Sequence, residues 1–296
     1  MNDEAPARAQ GIGCATRHYL RAAMNRSSFL LLPLLAPLAQ LSLSAPAGAG
    51  SMSETMLGWA EKLVTELTPE HNLYGSHPTY VEWSDDAAGA VARNRSVCSS
   101  FASHLLERSF GYTASDIDAW FGKNVPQARE YYETIEARHG FERIVHVAAI
   151  RPGDIIAVEY PAGSRPTGHV MIAASRAVAR TETAPVEPGT QQYEIVVIDS
   201  AHSGHGPDDT RRNADRTWTT GVGRGTLRLY GRPDDTLAGH SWSTTAHSVF
   251  RPAAVRKVAI GRLDLARAPQ PSGKPGATSG NEDTEPSGDD GDSGDA

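Results

Sequence analysis

RPGDIIAVEYPAGSRPTGHVMIA, residues 151–173, holds two apolar runs divided by a short connector of Pro, Ala, Gly and Ser. Asp154–Tyr160 and His169–Ala174 carry Ile and Val at strand-like length, and the connector has no room for a crossover helix. Two strands joined so briefly pair antiparallel. Further runs of the same kind are expected at Arg143–Val147, Tyr193–Asp199, Gly225–Tyr230 and Val255–Leu263. Strands that follow one another without intervening helices build an antiparallel sheet rather than a doubly wound parallel one.

Upstream of residue 143 the apolar period changes from two to 3.6. Ser53 is placed to cap a helix presenting Met56, Leu57, Ala60, Leu63, Val64 and Leu67. A second helix is expected from Asn94 or Ser96, with Val97, Phe101, Ala102, Leu105 and Leu106 on one face and Gly111 as its stop. A third is expected over Pro126–Arg138, with Pro in its first turn and Gly140 just past its end. The result is an α+β domain, N-terminal helices packed on an antiparallel sheet, over residues 52–266.

The flanks differ from this domain. Arg17, Arg21 and Arg26 precede the apolar stretch FLLLPLLAPLAQLSL (Phe29–Leu43), and small residues follow at Ala45, Ala47 and Ala49. That is the pattern of a cleaved export signal over residues 1–49, with translation starting at Met1 or Met24. Pro33, Pro37 and Gln40 interrupt the run, which falls short of the ~20 residues of a membrane span. A periplasmic or extracellular protein without a membrane span is therefore expected. Residues 267–296 are Pro, Gly, Ser, Asp and Glu, with seven acidic side chains against Arg267 and Lys274, and read as a disordered acidic tail. This tail holds most of the chain's net charge of −7. The remaining domain is only mildly acidic and lacks a basic patch interleaved with aromatics, which argues against a nucleic-acid partner. Nothing in the sequence signals an oligomeric state.

Loss of the leader, with Cys14, leaves Cys98 as the single thiol. A lone thiol in an exported protein has no internal disulfide partner, and a nucleophile is one reason to keep it. In the first turn of its helix, unpaired N–H groups and the positive dipole end favour a thiolate and offer donors to an oxyanion. His169 opens a strand and is suited to act as base and then acid. Asp199 ends the run EIVVID and is suited to orient an imidazole. A packed inert thiol, a boundary histidine and a turn-forming aspartate are the plain readings of the same three residues.

RSVCSSFASHLL around Cys98 resembles the nucleophile helix of the NlpC/P60 and CHAP cysteine hydrolases. RPGDIIAVEY is similar to their Gly-Asp strand, and TGHVMIA to the Gly-His-Val strand that carries the base. PTYVEW (Pro78–Trp83) is similar to the stretch that precedes the cysteine in NlpC/P60 proteins. The resemblance implies a papain-like α+β fold with Cys98 as nucleophile, His169 as base and Asp199 as third polar residue. It also implies hydrolysis of amide bonds in cell-wall (peptidoglycan) peptides through a thioester. Val97 before the cysteine, Ser100 after Ser99, and an Asp in third place depart from the usual family pattern. Tyr80, Trp83 and Trp120 are the candidate substrate-binding residues, and Gly111–Gly140, with Phe121, Tyr131 and Tyr132, is a candidate rim of the cleft.

Two other functions use the same residues. A transglutaminase-like acyl transferase also orders Cys, His, Asp, and would pass the acyl group to an amine. A non-catalytic envelope-binding module on a degenerate hydrolase scaffold would use the aromatic groove and ignore Cys98. No cofactor is indicated. His202 and His205, with Asp199, Asp208 or Asp209, are ligand types that zinc accepts, but their Gly-rich spacing matches no strong zinc signature, so no metal is assigned. His202 is also an alternative to Asp199 as third catalytic member.

Overall fold

In the computed structural model, which describes residues 52–276, the quoted hairpin is β5 (Ile155–Glu159) and β6 (Gly168–Ala173). They pair antiparallel from Ile155↔Ile172 to Glu159↔Gly168. A Cβ at Gly168 would stand 1.9 Å from the Val158 carbonyl oxygen, so this close pairing requires glycine. The other expected strands are β4 (Phe141–Ile144), β8 (Gln191–Ala201), β9 (Gly221–Gly231) and β12 (Lys257–Leu263). Three more, β7 (Val178–Ala179), β10 (Leu237–Ser241) and β11 (Arg251–Pro252), complete one sheet. Its order is β11-β10-β9-β8-β6-β5-β12-β4, every pair antiparallel, with β7 on β8. The protein is mixed α+β with a large antiparallel sheet.

Alternation along β6 separates two cores. Val170 and Ile172 face the helices, where Met56, Ala60 and Leu63 of α1 (Met52–Glu66) meet Phe101, Leu105 and Leu106 of α2 (Cys98–Phe110). Met171 and Ala173 face the other way, onto Val197, Leu229, Ile144 and Ile260. Each such aliphatic side chain contributes about 1.5–3 kcal/mol by leaving water. The second core is enclosed because the sheet curls. An isolated bridge, His146↔Thr236, joins the end of β4 to the β9–β10 turn, and the Val147 N–H donates to the Asp235 carbonyl at 2.9 Å.

Several expectations are corrected. The second helix starts at Cys98, because Arg93–Ser96 is strand β3. Strand β3 lies between β1 (Asn72–Tyr74), with which it pairs parallel, and β2 (Tyr80–Glu82), with which it pairs antiparallel. Asn94 spends its amide on Asn72 Oδ1 and the Leu73 carbonyl rather than capping a helix. The third helix is shorter than expected, α4 (Ala128–Glu136), and another precedes it, α3 (Ala114–Phe121). Thr113 and Asp116 cap α3 reciprocally and Gly122 ends it at φ 72°. Trp83 and Trp120 are not groove residues: they are 1% and 3% exposed in the first core. Arg108 stacks 4.3 Å from the Trp59 ring and 5.1 Å from that of Trp83, while Trp120 packs on Phe141 at 5.3 Å. Phe121 and Tyr131 are also core, so this segment supports the fold rather than rimming a cleft.

The acidic tail was expected to be free from Arg267 onward, yet residues 267–276 lie against α2 and α3. Gly273 and Gly276 donate backbone N–H groups to the carbonyls of Gly111 and Arg108 at 2.9 and 2.8 Å, and Tyr112 donates to the Pro269 carbonyl at 3.0 Å. Helix ends leave carbonyls without intrahelical partners, so a segment with almost no apolar side chains can still be held by its backbone. The expected export signal and the rest of the tail lie outside the described residues. No helix among those residues is long and apolar enough to cross a membrane.

Candidate active site

Cys98 is the first residue of α2, and Val97 before it offers no side-chain cap. Ser100 Oγ instead accepts the Val97 N–H at 3.0 Å and is held by Thr79 Oγ1 at 3.1 Å. The helix start is anchored to the sheet by Ser200, whose hydroxyl donates to the Ser96 carbonyl at 2.7 Å. Ser200 follows Asp199 directly, so one strand fixes both the candidate nucleophile's helix and the candidate orienter. Asn72 adds a second tie, bonding Val222 N and O of β9 at 2.7 and 2.8 Å.

The β6–β8 ladder consists of Ile172↔Ile198 and Ala173↔Val197. Toward His169 and Asp199 the strands part, and the N-terminus of α2 reaches this fork. There His169 Nε2 is 2.5 Å from Asp199 Oδ2. His169 also lies close enough to the Cys98 sulfur to feel its charge and a hydrogen-bonding interaction. The structure thus brings Cys98, His169 and Asp199 into one contiguous chain. Cys98 is 6% exposed and the His169 side chain 14%, so the thiol opens to solvent only narrowly.

Asp199 itself has no exposure, and three nitrogen donors surround it. Besides His169, His205 Nε2 lies 2.8 Å from the same oxygen and Arg211 Nη2 lies 2.9 Å from the other. Arg211 also forks onto Asp209, with Nε to Oδ1 at 2.9 Å and Nη2 to Oδ2 at 2.8 Å. His205 Nδ1 donates to the Trp242 carbonyl at 2.9 Å, and the Trp242 ring stands edge-on to His169 at 5.4 Å. Burial works against the Asp199 charge, but Arg211, His205 and His169 together hold its carboxyl well below the usual carboxylate range. Burial likewise works against a charged His169. The Cys98 charge and the hydrogen bond to Asp199 outweigh it and push the imidazole up to about 10.

This shift has a sign that unfolding reports. A group whose pKa is raised on folding contributes stability in full below its ordinary value, 6.5 for His, and loses it as pH rises toward about 10. Urea unfolding of the wild type is expected to show stability falling across that window as His169 loses its proton. In His169→Asn the same titration should be flat there.

Room for the charges comes from β9. GVGRG, Gly221–Gly225, places three glycines on one face. A Cβ would stand 2.1 Å from Asn72 Oδ1 at Gly221, 2.3 Å from Arg211 Nε at Gly223, and 2.3 Å from Asp209 Oδ2 at Gly225. A trough without side chains thus receives the polar network. Gly225→Ala is expected to cost about 1–3 kcal/mol by overpacking. Thermal unfolding measures the cost, and a displaced His205 NMR signal would report the local shift.

Comparison with known proteins gives one informative match, to an uncharacterized protein of Acanthamoeba polyphaga mimivirus. The two chains are 31% identical over 226 residues, 73% of this chain and 99% of the viral one. They belong to one family. Its viral member is covered almost end to end, so the family's unit is about the length of the domain described above. No family model matches the chain, and no solved structure matches it.

Among the sequence candidates, His202 is exposed, edge-on to Tyr74 at 6.1 Å, and it is Asp199 that meets His169. Tyr80 is partly exposed on β2, and the neighbouring Thr79 touches the start of α2. His169, Asp199 and His205 offer ligand atoms within 4.8 Å of one another. Contacts of 2.5 and 2.8 Å between them are hydrogen-bond lengths, and Arg211 already supplies a positive charge, so the set fits a proton network better than a cation. Arg211 and Trp242 were missed as site residues and Asp209 was weighed only as a metal ligand; the alternating glycines of GVGRG are the signal that could have pointed to Arg211 and Asp209.

Proposed function

We propose that this protein is a thiol hydrolase, carried by one observation: a thiol at a helix N-terminus electrostatically coupled to a histidine that a buried, ionised aspartate holds at Nε2. Cys98 thiolate attacks an acyl carbonyl, and the first-turn N–H groups of α2 are the donors for the oxyanion. His169 protonates the departing amine, leaving a thioester on the sulfur. It then takes a proton from water as the new C–O bond forms, and the C–S bond breaks to return the thiolate. Asp199 keeps Nε2 occupied, which leaves Nδ1 for the sulfur.

The arrangement of cysteine helix, antiparallel sheet and polar strand ends supports reading the chain as a divergent NlpC/P60 or CHAP-like, papain-like protein. We infer amide bonds of cell-wall peptides as the substrate class, reached after export. Asp199 as third member equally suits a transglutaminase-like acyl transfer. The binding-module reading loses support, because Trp83 and Trp120 are core residues.

The test is iodoacetamide labelling at pH 7, followed by peptide mapping at Cys98. Labelling is expected to be about 30-fold faster in the wild type than in His169→Ala, since an unassisted cysteine is only a few per cent thiolate at that pH. Equal rates in both proteins, with the fold intact by circular dichroism, would sink the assignment. Acyl-enzyme partitioning between water and added glycinamide separates hydrolase from transferase.

A further inference from the structure

The two ends of the curled sheet meet at a seam, and beside the His146↔Thr236 bridge lies a cavity of about 560 Å³. Its floor is the margin of the second core: Ile144, Leu237, Val258 and Ile260. Its rim carries Arg143, Arg232 and Lys257. Glu136 neutralises Arg143 at 2.8 Å. Glu159 is shared by Lys257 at 2.9 Å and Arg129 at 3.2 Å, which leaves one positive charge over. Arg232 makes no ion pair among the described residues, bonding instead to Thr236 Oγ1 and the Leu237 carbonyl. Asp234, which accepts from Thr236 Oγ1 at 2.7 Å, feels the Arg232 charge and offsets part of it, so the surplus at the rim is the one left over at Lys257 and Arg129.

A cavity in the usual ligand range of roughly 300–1,000 Å³, with an aliphatic floor and a cationic surplus at its mouth, matches a particular chemistry. We propose that this seam binds an anionic amphiphile: an acyl chain lies along Ile144, Leu237 and Val258, and its carboxylate meets Lys257 and Arg232. Chain burial supplies about 0.8 kcal/mol per methylene, and the headgroup selects the sign of charge. The thiol site has no part in this binding.

Decanoate and the uncharged decanol, titrated calorimetrically into the full chain, separate the two contributions. Decanoate is expected to bind with a dissociation constant of about 10–100 μM, and decanol about tenfold more weakly. Lys257→Gln should weaken decanoate about tenfold while leaving decanol unchanged. Ala254→Trp, at an exposed position on the rim, should abolish both by filling the cavity. Unchanged thermal unfolding of both variants establishes that they fold. Cys98→Ser should bind decanoate as the wild type does, so failure here is distinct from failure of the hydrolase reading. Absence of saturable decanoate binding at about 1 mM, equal affinity for decanol, or unaltered binding in Ala254→Trp would each overturn the proposal.

Discussion

Asp199→Ala is expected to destabilise the protein by about 3–5 kcal/mol, because it leaves buried cations facing one another without their shared counter-charge. Three groups lean on this carboxylate within 2.5–2.9 Å, and its surroundings admit no solvent to replace it. Against a usual total of about 5–15 kcal/mol, the loss is a large share of the fold's margin. For a domain of this size the melting temperature should fall by roughly 6–20 °C. Asp199→Asn, of the same shape, should lose less heat stability but most of its acid dependence. The sign follows from the depressed carboxyl: its contribution is complete above the ordinary aspartate value of 3.8 and is lost as pH falls toward the folded value. Urea unfolding at pH 7 and pH 3, for wild type and both variants, measures this. An Asp199→Ala protein as stable as wild type at pH 7 would mean that Asp209 alone balances Arg211.

The second large effect is kinetic. With p-nitrophenyl acetate as an acyl donor, His169→Ala is expected to lower kcat/KM by about 10²–10⁴-fold, the usual worth of a positioned acid–base group. Deacylation should suffer more than acylation, because the sulfur needs no proton removed once it is ionised, whereas water does. An acetylated Cys98 that accumulates in the variant and persists under mass spectrometry is the expected signature. If hydrolysis continues at the wild-type rate, another base acts on water; His205 is the group to test next, since it shares Asp199 Oδ2.

Much of this site was legible because strand and helix signals were strong where its members sit. The short connector in residues 161–166 fixed an antiparallel pair, and the apolar run ending in Asp199 set that carboxylate near the end of its strand, which the structure carries two residues further to Ala201. The start of α2 was harder to see. Asn94 and Ser96 look like caps, but here they bond across β1 and to each other, at 2.6 Å from Ser96 Oγ to Asn94 Oδ1. Trp83 and Trp120 misled for a related reason: an aromatic near a cysteine in sequence says nothing about which face it presents, and each found its N–H partner on an internal carbonyl, of Trp59 and His139 respectively. Arg211 and Asp209 sit in an irregular loop without periodicity, and only the missing side chains opposite them betray their place. For the tail, composition gave no sign of the free carbonyls at the end of α2, nor of Ala268 joining the first core.

The ties that hold Cys98 in place span long stretches of chain: 104 residues from Ser96 to Ser200, and 150 from Asn72 to Val222. Contacts of such separation form late in folding. A chain emerging from synthesis presents Cys98 well before Arg211 or the β9 glycines exist to organise the groups behind His169. Until β9 joins the sheet, Cys98 stands without the charged network behind Asp199. If Cys98 is the nucleophile proposed above, latency is built into the order of the sequence: the nascent or unfolded protein carries the thiol without the groups that surround it in the finished sheet.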